Sequence, residues 1–126
     1  MGAAVVRNDQ VLITGWNGVS ATYQDCREAG CPRCIEGGQT GSGYDSCICI
    51  HAEQHAIASA AAKGISTAGA TVYVNLRPCL SCLRMLASAG IDGIIFKENW
   101  TYTETLETYY KELAAKFSRF KPINEF

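Results

Sequence analysis

The chain has 126 residues, 48% of them hydrophobic and 18% charged, with a formal net charge of −1. That size and composition describe one folded domain, residues 1–126, with a core of its own, and exclude a disordered chain. The near-neutral balance argues against a non-specific nucleic-acid binder, which carries a basic surplus.

No apolar run reaches the roughly 18 residues that a membrane span needs. The N-terminus lacks the basic start and long apolar middle of a secretory leader, so the cytoplasm is the expected compartment. Neither a nucleic acid nor a membrane is expected as a partner.

Residues 3–6 and 11–14 are short β-type runs separated by Arg7-Asn8-Asp9-Gln10, which predicts a hairpin. Residues 15–50 are rich in glycine, hold five cysteines and show little apolar periodicity, with the Cys-rich insert set at about 24–50. So long a loop in a compact domain points to function, or to a metal that orders it. The alanine-rich stretch 53–63 predicts a helix ended by Gly64. Residues 71–75 read as a strand, and 79–89 as a helix opened by Pro78 and closed by Gly90. Residues 92–96 form a third apolar strand. Thr101 and Glu104 have capping-box spacing and open a helix over 102–117. Residues 121–126 are a tail or a short added strand. The order β-β-loop-α-β-α-β-α predicts an α/β fold, an α/β/α sandwich on a mixed, partly parallel sheet.

The chemistry concentrates in His51-Ala52-Glu53 and Pro78-Cys79-Leu80-Ser81-Cys82. One imidazole and two thiolates are three zinc ligands, and a three-ligand zinc keeps a fourth position for water. Such an ion brings that water's pKa toward neutrality. Glu53, two residues after the histidine, is placed to carry protons beside it. Cys79 and Cys82, at i and i+3, share one helix face, and a helix N-terminus favours thiolates. A closed structural zinc, with His55 or a loop cysteine as fourth ligand, and a C-x-x-C redox pair are the competing readings. H-x-E alone and C-x-x-C alone are each weak. Together, in order and each opening a helix, they are specific.

Seven cysteines in a chain with no recognisable leader favour reduced thiols and metal binding over disulfides. Cys26, Cys31, Cys34, Cys47 and Cys49 cluster in the loop, and Cys31-Pro32-Arg33-Cys34 is a C-x-x-C knuckle. A second, structural zinc on Cys26, Cys31, Cys34 and Cys47, with Cys49 as the alternative fourth ligand, would order the loop. Arg27, Arg33, Lys63 and Arg77 are the basic residues nearest these segments. Arg77 adjoins the Pro-Cys turn and is a candidate for a nucleotide phosphate, although any one of the four reads more simply as a solvated surface group.

The H-x-E…P-C-x-x-C pattern is that of zinc nucleobase deaminases. The chain resembles the deoxycytidylate (dCMP) deaminases of the cytidine deaminase superfamily in four segments: Thr14 to Gly18, Ile50 to Ile57, Tyr73 to Cys82, and Ala89-Gly90-Ile91 leading into residues 94–96. T-G-W-N-G and C-L-S-C-L-R-M-L-A-S-A-G-I favour the dCMP branch. The resemblance implies zinc on His51, Cys79 and Cys82, with Glu53 as the catalytic proton shuttle in dCMP + H2O → dUMP + NH3. Another base, nucleoside or nucleotide (cytosine, cytidine, dCTP, an adenine-type base) is the alternative within enzymes, and a zinc-ordered binding module the alternative outside them. The resemblance further implies a substrate contact from Asn17 and an aromatic near the base, Tyr102 or else Trp100. Apart from the resemblance, the backbone N–H of Ala52 or of Cys79 is placed to help bind the reacting groups. It implies a homo-oligomer, commonly a hexamer, with dCTP and dTTP as effectors. Three departures stand out. The family's helix ahead of the first strand has no counterpart here, His55 stands where asparagine is frequent, and Val19 to Tyr23 replaces a proline-containing loop.

Overall fold

The computed structural model describes residues 1–18, 31–32 and 48–125. Strands β1 (Gly2–Arg7) and β2 (Gln10–Trp16) form the expected hairpin. Its tip, Asn8 (φ 53°) and Asp9 (φ 61°), has positive φ at both central residues. This is the type I′ geometry whose twist matches paired strands, and Asn and Asp tolerate it better than bulkier residues. There follow helix α1 (Ala52–Ala62), strand β3 (Thr71–Leu76), helix α2 (Leu80–Ser88), strand β4 (Gly93–Glu98), helix α3 (Glu104–Ala114) and strand β5 (Arg119–Pro122).

The sheet order is β2-β1-β3-β4-β5. β1 is antiparallel to β2 and β3, while β3, β4 and β5 run parallel. Each parallel step needs a crossover, which α2 and α3 provide. The mixed, partly parallel sheet expected from the element order is therefore present, and the added strand at the C-terminal end is β5. Strand alternation sends Ala3, Val5, Val72, Val74, Ile94 and Phe96 into one core. Ala52 and Ala56 of α1, Leu83 and Leu86 of α2, and Tyr110 and Ala114 of α3 meet them there. Among the described residues, no helix is long and apolar enough to cross a membrane.

Two helix ends follow the glycine rule. Gly64 (φ +67°) and Gly90 (φ +79°) take the left-handed position just after α1 and α2. The Thr101/Glu104 capping box does not form. α3 begins later, with Thr103 at its N-cap and no side-chain cap bond. Tyr102 stays outside the helix, its N–H donating to the buried Glu107 Oε1 at 2.9 Å. α3 also stops short of the expected residue 117, and Phe117 turns into the core.

α1 lies so close to β2 that a Cβ on Gly15 would stand 2.4 Å from Ala52 O and 2.5 Å from Ala56 N. Both are backbone atoms of the helix that opens at His51, so the helix as a whole would have to shift. Gly15→Ala is expected to lower stability by about 1–3 kcal/mol, the usual cost of overpacking. Urea unfolding checks this, and an unchanged midpoint would mean that α1 yields without strain.

The hairpin tip, the turns after α1 and α2, and the residues after α3 lie at the edge where the parallel strands begin. Arg7 Nη1 donates there to the Ser66 and Ala68 carbonyls at 3.0 and 2.9 Å. The end of β2, the starts of all three helices and the ends of β3 and β4 lie at the opposite edge, where a mixed sheet of this kind places its ligands.

Candidate active site

His51 is the N-cap of α1, with extended backbone (φ −76°, ψ 156°). Its N–H donates to Gln54 Oε1 at 2.8 Å, the reach-back half of a capping box, which fixes how the chain enters the helix. Cys79 is the N-cap of α2, and Cys82 lies in the first turn of that helix. The two helix starts converge. His51 Nδ1 is 3.6 Å from Cys79 Sγ and 3.4 Å from Cys82 Sγ. All three ligand atoms lie within 4.8 Å of one another, and they are the only such group of three or more among the described residues.

These distances can be tested against a metal. A nitrogen at about 2.0–2.1 Å and a sulfur at about 2.3 Å from a tetrahedral ion stand about 3.5 Å apart. The observed separations match that spacing. The imidazole therefore presents Nδ1 rather than Nε2 to the shared point.

The proton balance agrees. The hydrogen bond from the Cys82 thiol, helped by the His51 imidazole and opposed by burial, pulls the Cys79 thiol down to about 4. Cys82 is pushed the other way, first because it donates that bond, then by burial and by the nearby charge of Glu53. The pair thus readily holds one negative charge and resists a second. A dication between the sulfurs would compensate both thiolates. The residues present fit zinc.

Glu53 is buried at 6% exposure in the first turn of α1, beside the thiols of Cys79 and Cys82 and the His51 imidazole. Desolvation, the largest cause, raises its pKa. The Cys79 charge adds to the rise, while its own backbone N–H, the His51 imidazole and the Cys82 thiol oppose it. A carboxylate whose pKa is raised in this way holds a proton more readily than a solvated one, which suits a group that must both take and give one.

Residues 1–98 match the cytidine and deoxycytidylate deaminase zinc-binding region. The chain belongs to this family. The deoxycytidylate deaminase of Schizosaccharomyces pombe is 32% identical over 100 residues, covering 79% of this chain and 31% of that protein. This chain thus spans about a third of the length of that yeast relative. The deoxycytidylate deaminase of Mycobacterium phage D29 is 34% identical over 101 residues, covering 76% of each chain. The dCMP deaminase of cyanophage S-TIM5 has the same fold. Its apo structure superposes at TM-score 0.64 with 25% identity, covering 95% of this chain and 78% of that one. Its structure with dCMP and dUMP gives 0.67 with 23% identity, covering 97% and 79%.

The other sequence candidates of this deaminase-family chain fall at varied places. Ala52 is the first residue of α1 and is buried. Asn17 is half-buried just beyond β2. His55, four residues after His51, takes no part in the metal group. Its Nδ1 lies 3.1 Å from the Trp16 N and 3.0 Å from the Trp16 O, and its ring meets the Trp16 ring edge-on. It thereby fastens the main chain next to Asn17. Tyr102 is half-buried, with its ring against Trp100 and Tyr110. Its hydroxyl accepts the Leu80 N–H at 2.8 Å, at the opening of α2.

Arg77 corrects the sequence reading. It is neither a solvated surface group nor a phosphate ligand but is 4% exposed, with Nη2 2.9 Å from both carboxylate oxygens of Glu107. Glu107 went unnoticed in the sequence, although its spacing of three and seven from Tyr110 and Ala114 puts an acid on the apolar stripe of α3. Of the proposed second zinc site, Cys31 is buried, whereas Cys26, Cys34 and Cys47, like Arg27, Arg33 and residues 19–23, lie outside the described residues. Cys49 is in a disulfide. That corrects the expectation of uniformly reduced thiols and removes it as the alternative fourth ligand. Seven cysteines leave room for a bridge beside three ligands.

Proposed function

We propose that this chain catalyses the hydrolytic deamination dCMP + H2O → dUMP + NH3, with zinc held by His51, Cys79 and Cys82 and with Glu53 as the proton carrier. The observation that carries the reading is the convergence of one imidazole nitrogen and two sulfurs at tetrahedral spacing beside a buried carboxylate. A purely structural zinc site has no use for that carboxylate. The names of the fungal and phage relatives support dCMP as the substrate.

Bound zinc would supply Lewis acidity that makes water a nucleophile at neutral pH. Glu53 takes a proton from the attacking water and delivers it to the ring nitrogen beside the amine-bearing carbon. It then takes the remaining proton from the hydroxyl added at that carbon and passes it to the amino group, so that the C–N bond breaks, the ring carbonyl forms and ammonia leaves. The Ala52 main chain, at the start of α1, contacts the reacting base, for backbone N–H groups at a helix start point outward. Asn17 contacts the sugar or base, and Tyr102 lines the base pocket. The chain works in the cytoplasm as a homo-oligomer, a hexamer in the form common to the family, with dCTP and dTTP as effectors.

Ammonia release from zinc-replete protein tests this across dCMP, CMP, deoxycytidine, cytosine, dCTP and adenosine, each with and without added dCTP. Turnover concentrated on dCMP is the expected outcome. Equal rates on dCMP and deoxycytidine would overturn the nucleotide assignment, and no turnover on any of them would overturn the enzyme reading.

A further inference from the structure

The main chain on both sides of Cys79 is held from one direction. The Arg77 N–H donates to Glu98 O at 2.8 Å. Arg77 O accepts from Trp100 Nε1 at 2.7 Å. Pro78 O accepts from the Tyr110 hydroxyl, and the Leu80 N–H donates to the Tyr102 hydroxyl at 2.8 Å. Pro78 has no N–H to place. These four bonds fix the peptide units flanking the cysteine, and all four partners come from the segment running from the end of β4 into α3.

Those partners are themselves assembled around one ion pair. The Arg77 guanidinium lies 3.8 Å from the Tyr110 ring centre, and its Nη1 donates to Trp100 O. Glu107 binds Arg77 Nη2 and also accepts the Tyr102 N–H at 2.9 Å. Trp100, Tyr102 and Tyr110 therefore each touch the pair and each hold a group next to Cys79. The pair is almost wholly buried, where ion pairs add little net stability compared with apolar packing but fix geometry strictly. Such an arrangement suits orientation better than it suits stability.

We infer that Arg77 and Glu107 are positioning residues for the metal centre, acting through Trp100, Tyr102 and Tyr110 to aim Cys79 Sγ at the point shared with His51 Nδ1. This rests on His51, Cys79 and Cys82 being the metal ligands. Residues outside the ligand set that orient it commonly change metal affinity or activity by about 10- to 100-fold when altered.

Tyr110→Phe removes the hydroxyl, and with it the bond to Pro78 O, and keeps the ring in the core. Its Co²⁺ affinity, measured by competition with a chelator, is expected to fall by about 10-fold or more. The sulfur-to-cobalt absorption bands should shift, and kcat on dCMP should fall with KM unchanged. Glu107→Gln should move the same readouts in the same direction, while Tyr109→Phe, on the exposed face of α3, should move none. If Tyr110→Phe and Glu107→Gln only lower the unfolding midpoint, with cobalt spectrum, cobalt affinity and kcat of the loaded protein unchanged, the inference is overturned. Should Tyr110→Phe fail to fold, Trp100→Phe, which removes the donor to Arg77 O together with part of the ring that meets Tyr102, is read by the same criteria. The cobalt measurements need no substrate, so they decide the inference even where the wild-type protein deaminates nothing on the panel.

Discussion

Glu53→Gln is expected to lower kcat on dCMP by about 10²–10⁴-fold, the contribution typical of a positioned acid–base group, while zinc content stays at the wild-type level. Glutamine keeps the shape of the side chain and its place in the first turn of α1 but cannot carry a proton. Stability should not fall with activity. Burial raises the pKa of Glu53, so the folded chain binds this proton more tightly than the unfolded chain does. The metal-free wild type therefore loses stability as pH rises from the ordinary carboxylate value through the raised folded value. The variant has no such loss, so its metal-free unfolding midpoint at neutral pH should equal or exceed that of the wild type. Turnover assays with metal analysis, alongside unfolding at pH 5 and pH 7.5, read all three expectations. Activity retained in the variant would mean that another group moves the proton.

Cys82→Ser should abolish measurable turnover and remove the stabilisation by zinc. Cys82 is fully buried, and its sulfur completes the ligand set. A serine hydroxyl is a harder and less easily ionised donor than a thiol, so zinc held by the two remaining ligands dissociates readily. A metal that binds only the folded state stabilises it by about 4 kcal/mol when free zinc is a thousandfold above its dissociation constant. The wild-type midpoint should therefore rise on adding zinc, and that of the variant should not. Thermal unfolding with and without zinc makes the comparison. A zinc-dependent rise that survives in Cys82→Ser would show that the ion sits elsewhere.

The sequence was most readable where one residue type does one thing. Alternation in the strands, alanine in α1, and Gly64 and Gly90 at helix ends located the elements within a few residues, because backbone preference and burial act locally there. The metal group was readable because His-x-Glu and Cys-x-x-Cys set both residue type and local spacing, and the helix starts did the rest. Arg77 failed because its surroundings are non-local. Its partner Glu107 is 30 residues away, and nothing near Arg77 in the chain reveals that an acid on the far helix faces inward. The Thr101/Glu104 cap was misplaced for a related reason: Tyr102 is tied outside the helix by Glu107, a residue whose inward-facing position shows only in the fold, and α3 starts after Thr103. Tyr110 was hidden as one aromatic among several on α3. Only the fold shows that its hydroxyl reaches the peptide before Cys79.

The two edges of the sheet divide the labour, and this matters to anyone who wishes to re-engineer the chain. The site and its supports gather where β3 and β4 end, while the turns at 8–9 and 63–69 sit at the other edge. Gly64 is exposed, and a Cβ there would meet nothing within 4 Å. Epitope tags, fluorophore-bearing peptides or relocated termini are best grafted at Gly64, ahead of the bonds that tie Ser66 and Ala68 to Arg7, because exposed loop tips accept inserted sequence with little thermodynamic penalty. Grafts of the same length between Leu76 and Cys79 would separate the cysteine from the bonds that aim it. The molecule thus offers one rim as a handle and keeps the other for chemistry.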